Sequence, residues 1–354
     1  MTQSIVNSGK GANLSRRSFM KVAVGAGVTA MLGASAFSMT GCSNGASSSD
    51  DGASAEGGEG GMRTQVKLGY WSATECDASL LAAYLAGYYE EEGLEPELVL
   101  VDYNTWPAQV ANGQVDQMMV SGDSFNPMAE GAEQVLVNGS HTGCSSTVVK
   151  KDSDIKSPEQ LKGKIIGVDA VGGLGQVLMM AKLGEYGLTE DDVTYKVYDP
   201  SAFIPALEKG EIDAFNYWDP IPTQAIDMGV ADMLFRMNDI YPDIVCCYEG
   251  ISKSVVENEP ELAKKLDNAF RRGTELCRDD PAKVAELMCS QKFLAETEEF
   301  TEKCYAAMKY WTDPADAGRS FRWWLETYQD VGVLSPGADI DEVFSRCFKS
   351  ADEL

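Results

Sequence analysis

Two stretches of this chain repeat each other at a nearly constant offset, and the repetition limits what the chain can fold into. Gly210-Glu211-Ile212-Asp213-Ala214-Phe215-Asn216-Tyr217-Trp218-Asp219-Pro220 reads as a glycine turn, a short buried strand, then an aromatic and a carboxylate where the strand meets proline. Gly113-Gln114-Val115-Asp116-Gln117-Met118-Met119-Val120-Ser121-Gly122-Asp123 has the same plan 97 residues earlier. Lys67-Leu68-Gly69-Tyr70-Trp71 and Ile165-Ile166-Gly167-Val168-Asp169 form a second pair, their glycines 98 residues apart. Each is followed by a helix-like segment and a Gly-Leu, Gly93-Leu94 and Gly187-Leu188. Short Gly-x-aliphatic-Asp strings also match by chance, but two pairs of units at nearly the same offset indicate two α/β lobes of similar plan. Ligands of open α/β sheets gather at the carboxyl ends of strands. The candidate ligand site is therefore Trp71 and Ser72, Ser121 with Asp123, Asp169 with Gly172 and Gly173, and Trp218 with Asp219.

A chain of 354 residues holds two domains after a leader and linker are set aside. The net charge is −26, and the first 42 residues carry four basic groups and no acid, so the remainder stands at −30. Such a body repels nucleic acid and anionic lipid. The only histidine, His141, excludes a multi-histidine metal site. No apolar run after residue 40 is long enough to span a bilayer.

Ser15-Arg16-Arg17-Ser18-Phe19-Met20-Lys21 resembles a twin-arginine export motif, and an apolar Gly/Ala-rich run follows to Met39. Met39-Thr40-Gly41-Cys42 resembles a lipobox, which implies cleavage before Cys42 and a diacylglycerol on its sulfur; the alternative is a plain signal peptide with a fortuitous cysteine. Residues 43–63 are rich in Gly, Ser and Ala and read as a flexible tether of ~20 Å root-mean-square span.

Beyond the tether, strands are expected at Gln65–Trp71, Glu97–Val101, Gln134–Asn138, Val193–Tyr198 and Ile244–Tyr248, besides those of the repeated units. Ser121 or Asp123 is expected to cap the helix that follows it, leaving free N–H groups aimed at the cleft. Ser157-Pro158-Glu159-Gln160 is a capping box. The glycines Gly172-Gly173 fit neither a P-loop nor a dinucleotide fingerprint; they suit either close backbone approach to a ligand or a tight strand-to-helix turn. From Ser254 onward the chain is helical and charged, with a core stripe of Phe321, Trp324 and Tyr328.

Three motifs, in order, carry a family resemblance. Gly87-Tyr88-Tyr89-Glu90-Glu91-Glu92-Gly93-Leu94, Leu161-Lys162-Gly163-Lys164-Ile165-Ile166-Gly167-Val168 and Leu207-Glu208-Lys209-Gly210-Glu211-Ile212-Asp213-Ala214 resemble motifs of periplasmic-binding-protein-like solute receptors. The subgroup resembled binds alkanesulfonates, taurine, nitrate and thiamine-pyrimidine precursors for ABC importers. The resemblance spans roughly residues 64 to 350. It implies an α/β, type II two-lobe receptor with lobe one at 64–149 plus 249–354 and lobe two at 150–248. It also implies hinge closure on a small molecule, an ABC permease and ATPase as partners, and no cofactor. One relative is an enzyme, the fungal-type pyrimidine synthase, which consumes its own histidine and carries a C-C-C-F-C run. This chain has Cys246-Cys247-Tyr248-Glu249 there, with two of those cysteines, so the expectation is a receptor and not an enzyme. The further expectation is a monomer held by a lipid anchor to the outer face of the cell membrane.

No Arg or Lys lies in the four strand-end loops, whereas Glu75, Asp77, Asp123, Asp169 and Asp219 do. Trp71 and Trp218 offer faces for a planar or cationic body. These features favour a neutral, zwitterionic or cationic organic ligand; the family precedent keeps a sulfonate or nitrate open. His141 is open between a cleft contact and a hydrogen-bonded structural histidine. Eight cysteines after Cys42 permit disulfides without fixing a pairing. No C-x-x-C spacing is present, so no metal is expected.

Overall fold

The computed structural model describes residues 63–71, 74–311 and 313–354. The export motif, Cys42, all but residue 63 of the tether and Ser72 lie outside the described residues. Among the described residues no helix is long and apolar enough to cross a membrane.

Eleven strands are described: β1 (Gln65–Tyr70), β2 (Glu95–Leu100), β3 (Gln117–Ser121), β4 (Gln134–Thr142), β5 (Ser145–Lys150), β6 (Ile165–Val168), β7 (Thr194–Val197), β8 (Ala214–Trp218), β9 (Ala231–Arg236), β10 (Cys247–Ser252) and β11 (Lys309–Tyr310). They form two sheets, ordered β11-β4-β10-β3-β1-β2 and β7-β6-β8-β5-β9. In the first, β2, β1 and β3 are parallel and β10 runs antiparallel to both β3 and β4. In the second, β7, β6 and β8 are parallel and β5 runs antiparallel to both β8 and β9. The two plans superpose strand for strand, β1 on β6, β2 on β7, β3 on β8 and β4 on β9. The last two pairs start 97 residues apart, the offset read from the sequence.

Each sheet takes its antiparallel inner strand from the chain that crosses between lobes: β5 on the way out, β10 on the way back. This corrects the expected boundaries. Residues 145–149 belong to the second sheet, so the outward crossing lies at Gly143-Cys144. The return crossing ends before Cys247, two residues earlier than expected. The hydrophobic pattern explains the miss: β5 and β10 are buried along almost their whole length, so neither shows the alternation that marks a sheet's face.

Helices cover both faces. The helix Pro260–Asp279 starts with proline in its first turn and buries Leu262, Ala263, Leu266, Ala269, Phe270, Gly273 and Cys277 at three- and four-residue spacing. It packs on the helix Ala78–Leu85. Gly273 sits at that crossing, where a Cβ would overlap the Ser79 carbonyl oxygen and meet Ala83. The stripe of Phe321, Trp324 and Tyr328 is buried as expected, and the Trp324 indole N–H donates to the Val245 carbonyl at 2.8 Å. The helix Leu174–Gly184 follows β6, yet its Leu174, Val177 and Leu178 pack into the core of the first lobe. That helix bonds the lobes across the cleft floor.

Candidate functional site

The cavity between the sheets has a volume of about 650 Å3. Trp71 and Ser121 close the C-terminal ends of β1 and β3, and Trp218 closes β8. Asp123 lines the cavity with them. Thus four of the residues expected from strand ends meet on one cavity, with both sheets contributing.

Each is held by its neighbours. The Trp71 indole N–H donates to the Met119 carbonyl at 3.1 Å, and its backbone N–H donates to the Asp77 carboxylate at 2.6 Å. Tyr103 leans on the Trp71 ring at 6.0 Å, and Tyr217 stacks on Trp218 with centroids 4.2 Å apart. Both tyrosines line the cavity and were not expected there. Tyr217 precedes Trp218, and strict strand alternation assigns them to opposite faces; the strand ends at that point and the rings turn together. Tyr103 lies in the loop after β2, three residues past the end of that strand.

Asp123 does not cap the helix that follows it. Its Oδ1 accepts the Leu174 N–H at 2.7 Å, the first turn of a helix of the other lobe. Burial, then the nearby Asp169 charge, pushes the Asp123 carboxyl up to about 7. Burial also raises Asp169, whose Oδ1 is buried without a hydrogen-bond partner. The Gly172 N–H donates to Gln176 Oε1 at 2.7 Å. With the Leu174 amide taken by Asp123 as well, the glycines Gly172 and Gly173 make a tight turn and do not aim free N–H groups at a ligand. Gly173 is the N-cap, and a Cβ there would press on Asp123 Oδ1 at 3.2 Å.

Asp219 also departs from expectation. It is fully buried and absent from the cavity wall, because Arg236 Nη1 donates to its Oδ2 at 2.5 Å and the Thr223 hydroxyl to its Oδ1 at 2.7 Å. Arg236 lies on β9, 17 residues away, and only the fold brings it there. Glu75, buried behind the wall with neither oxygen hydrogen-bonded, is raised well above the usual carboxylate range by burial and by Asp219.

His141 is fully buried on β4 and does not line the cavity. Its Nδ1 lies 3.0 Å from the Ser140 hydroxyl, which lies 2.8 Å from the Ser79 hydroxyl. Cys247 of β10 pairs with His141 on one side and Ser121 on the other. Cys144 at the outward crossing and Cys76 in the turn after β1 complete a group whose donor atoms all lie within 4.8 Å of one another. Cys76, Cys144 and Cys247 line the cavity floor. Hydrogen bonds from Cys144 and then Cys247 hold the Cys76 thiol well below its usual range. Burial works against an imidazolium at His141, but the Cys76 sulfur beside it leaves the ring's affinity for a proton raised. Spacing gave no reason to expect a metal, yet the fold gathers four side chains whose donor atoms could hold one. Only His141 and Cys144, three residues apart, gave a local cue; Cys76 and Cys247 come from distant segments. No disulfide links the eight described cysteines.

The charge of the cavity wall is one-sided. Asp102, Asp123 and Glu296 are its ionisable acids, and among the described lining residues there is neither lysine nor arginine.

Comparison with known proteins agrees with this architecture. A protein of Brucella abortus named as a binding protein is 27% identical over 236 residues, 65% of this chain and 71% of the relative. The 4-amino-5-hydroxymethyl-2-methylpyrimidine phosphate synthase of Aspergillus parasiticus is 27% identical over 238 residues, 61% of this chain and 67% of the synthase. The periplasmic aliphatic sulphonate binding protein SsuA from Escherichia coli matches with a TM-score of 0.68 at 15% identity, over 81% of this chain and 92% of that one. The periplasmic nitrate-binding protein NrtA from Synechocystis PCC 6803 matches with a TM-score of 0.68 at 15% identity, over 82% of this chain and 87% of that one. The fold is therefore the two-lobe fold of periplasmic binding proteins. A family model described as NMT1/THI5 like matches residues 77–284, and the chain belongs to that family.

Proposed function

We propose that this protein is an extracytoplasmic solute receptor that closes its lobes over a small planar organic molecule bearing a positive charge, and delivers it to an ABC permease and ATPase. The observation that carries the reading is the cavity wall: Trp71, Tyr103, Tyr217 and Trp218 with Asp102, Asp123 and Glu296, and no lysine or arginine among the described lining residues. Aromatic faces and carboxylates both attract cations. An anion here would face carboxylates with its nearest helix N-terminus already occupied by Asp123. An aminopyrimidine is planar and protonatable and has both properties the wall selects, which accords with the pyrimidine chemistry in the name of the Aspergillus relative. The twin-arginine motif and Cys42 support export and lipid anchoring, with the lobes divided near residues 143–144 and 246.

The test is a thermal-shift screen of the protein against amines, aminopyrimidines, sulfonates and nitrate. A ligand at a hundredfold excess over its Kd adds about 2.7 kcal/mol of apparent stability. Stabilisation by protonatable planar amines alone is the expected outcome. The second reading, an alkanesulfonate or nitrate receptor, rests on the ligands named for the two solved structures, and stabilisation by those anions alone would establish it instead. Turnover of an aminopyrimidine precursor would replace both readings with an enzymatic one.

A further inference from the structure

We infer that Cys76, Cys144, Cys247 and His141 hold a single zinc ion at the floor of the cleft, on the cross-over between the lobes. All four residues are buried, and one donor atom from each lies within 4.8 Å of the other three. A tetrahedral zinc site with Zn–S near 2.3 Å and Zn–N near 2.0 Å puts its donors about 3.5–3.8 Å apart. The Cys144 and Cys247 sulfurs already stand 3.7 Å apart. Three thiolates and an imidazole are a zinc donor set and a poor one for magnesium, calcium or manganese.

A second, independent observation comes from the imidazole. Nε2 of His141 is buried and has no hydrogen-bond partner. Leaving a buried ring nitrogen unpaired is unfavourable, a cost that a metal bond removes. Nδ1 is placed as a ligating histidine requires. With its proton on Nδ1 the ring donates to the Ser140 hydroxyl at 3.0 Å, and Ser140 is anchored by Ser79 at 2.8 Å. Such an outer partner fixes the tautomer that leaves Nε2 with its lone pair. Cys246 lies 3.3 Å from Cys144, yet its sulfur turns to the His141 carbonyl at 3.4 Å, so it neighbours the set without completing it.

The four ligands come from the turn after β1, the end of β4, the outward crossing and the first residue of β10. An ion there ties both crossings to the first sheet, so it sets the hinge on which the lobes turn. Binding requires all three sulfurs as thiolates; whatever protons the cysteines and the imidazole carry leave through the cavity that the three cysteines line. The inference stands apart from the identity of the solute, since the probe is the metal alone.

The test uses the full chain, reduced with a phosphine, stripped of metal and kept anaerobic. Zinc is titrated against a chromogenic chelator, and cobalt(II) serves as the spectroscopic probe. One zinc per chain is expected, with thiolate-to-cobalt charge transfer and the strong ligand-field bands of a tetrahedral site. Cys144→Ser and Cys247→Ser should weaken zinc by roughly a hundredfold and Ser140→Ala by roughly tenfold, while Cys289→Ser and Cys347→Ser, outside the cluster, leave it unchanged. Circular dichroism accompanies each variant. If the cysteine variants do not fold, Ser140→Ala decides alone: unchanged zinc affinity in that folded variant overturns the inference. It is equally overturned by a folded, reduced wild type that takes no zinc from the chelator, by copper(I) binding without zinc, or by Cys289→Ser weakening zinc as much as Cys247→Ser.

Discussion

Asp123 stands just past the C-terminal end of β3 with one oxygen committed to the Leu174 amide and the other 3.4 Å from the Ser121 hydroxyl. Its carboxyl titrates at about 7, raised first by burial and then by Asp169, from an ordinary value of 3.8. The folded protein thus binds a proton here that the unfolded chain releases. The group's favourable contribution is complete below pH ~4 and is lost as pH rises to ~7. A bound cation reverses the preference by drawing out that proton. Affinity for a cationic ligand should therefore climb between pH ~5.5 and ~7.5, approaching tenfold per unit at the lower end, and Asp123→Asn should flatten the profile. Calorimetry across that range checks it. Trp218→Ala should weaken binding about tenfold, or ~1.4 kcal/mol, with the circular dichroism spectrum native. A drop in melting temperature with unchanged affinity would instead make Trp218 a core residue. Arg236→Met should lower stability by about 3–5 kcal/mol, because the fully buried Asp219 loses its ion-pair partner; chemical denaturation measures this.

At the scale of elements, the helix crossing at Gly273 makes a sharp prediction. A methyl group there has backbone on the other side, the Ser79 carbonyl, and backbone cannot swing aside as a side chain can. Gly273→Ala should cost at least ~1–3 kcal/mol by overpacking, despite alanine's better helix propensity, as a lower denaturation midpoint with unchanged slope. Elements of this kind explain what was legible in the sequence. The offset of 97 residues located β3 and β8 and their aromatic and acidic ends, because parallel strands end in loops whose composition is visible locally. The Phe321, Trp324 and Tyr328 stripe was equally plain at helical spacing. What stayed hidden depends on partners far along the chain. Asp219 read as a site residue because nothing near it announces Arg236, and Gly172-Gly173 read as an open helix start because Asp123 belongs to the other lobe. The thiol and imidazole group was invisible for the same reason: two of its members are brought in by strand pairing and crossing.

On the scale of the whole molecule, the second lobe is an uninterrupted stretch and the first is not. β10 lies between β3 and β4, in the middle of the first sheet, but is encoded after every strand of the second. A ribosome that has released 246 residues has therefore made all strands of one sheet, while the other stands with a slot one strand wide. The exposed edges of β3 and β4 are buried strands in the finished protein and would template foreign pairing while they wait. A chain truncated after Ile244 should thus give a protease-resistant fragment from the second lobe and rapid cutting upstream of it. The full chain should resist throughout. Synthesis of this protein is in effect a race to deliver six residues, Cys247 to Ser252, and whatever shields the nascent chain must hold until they arrive.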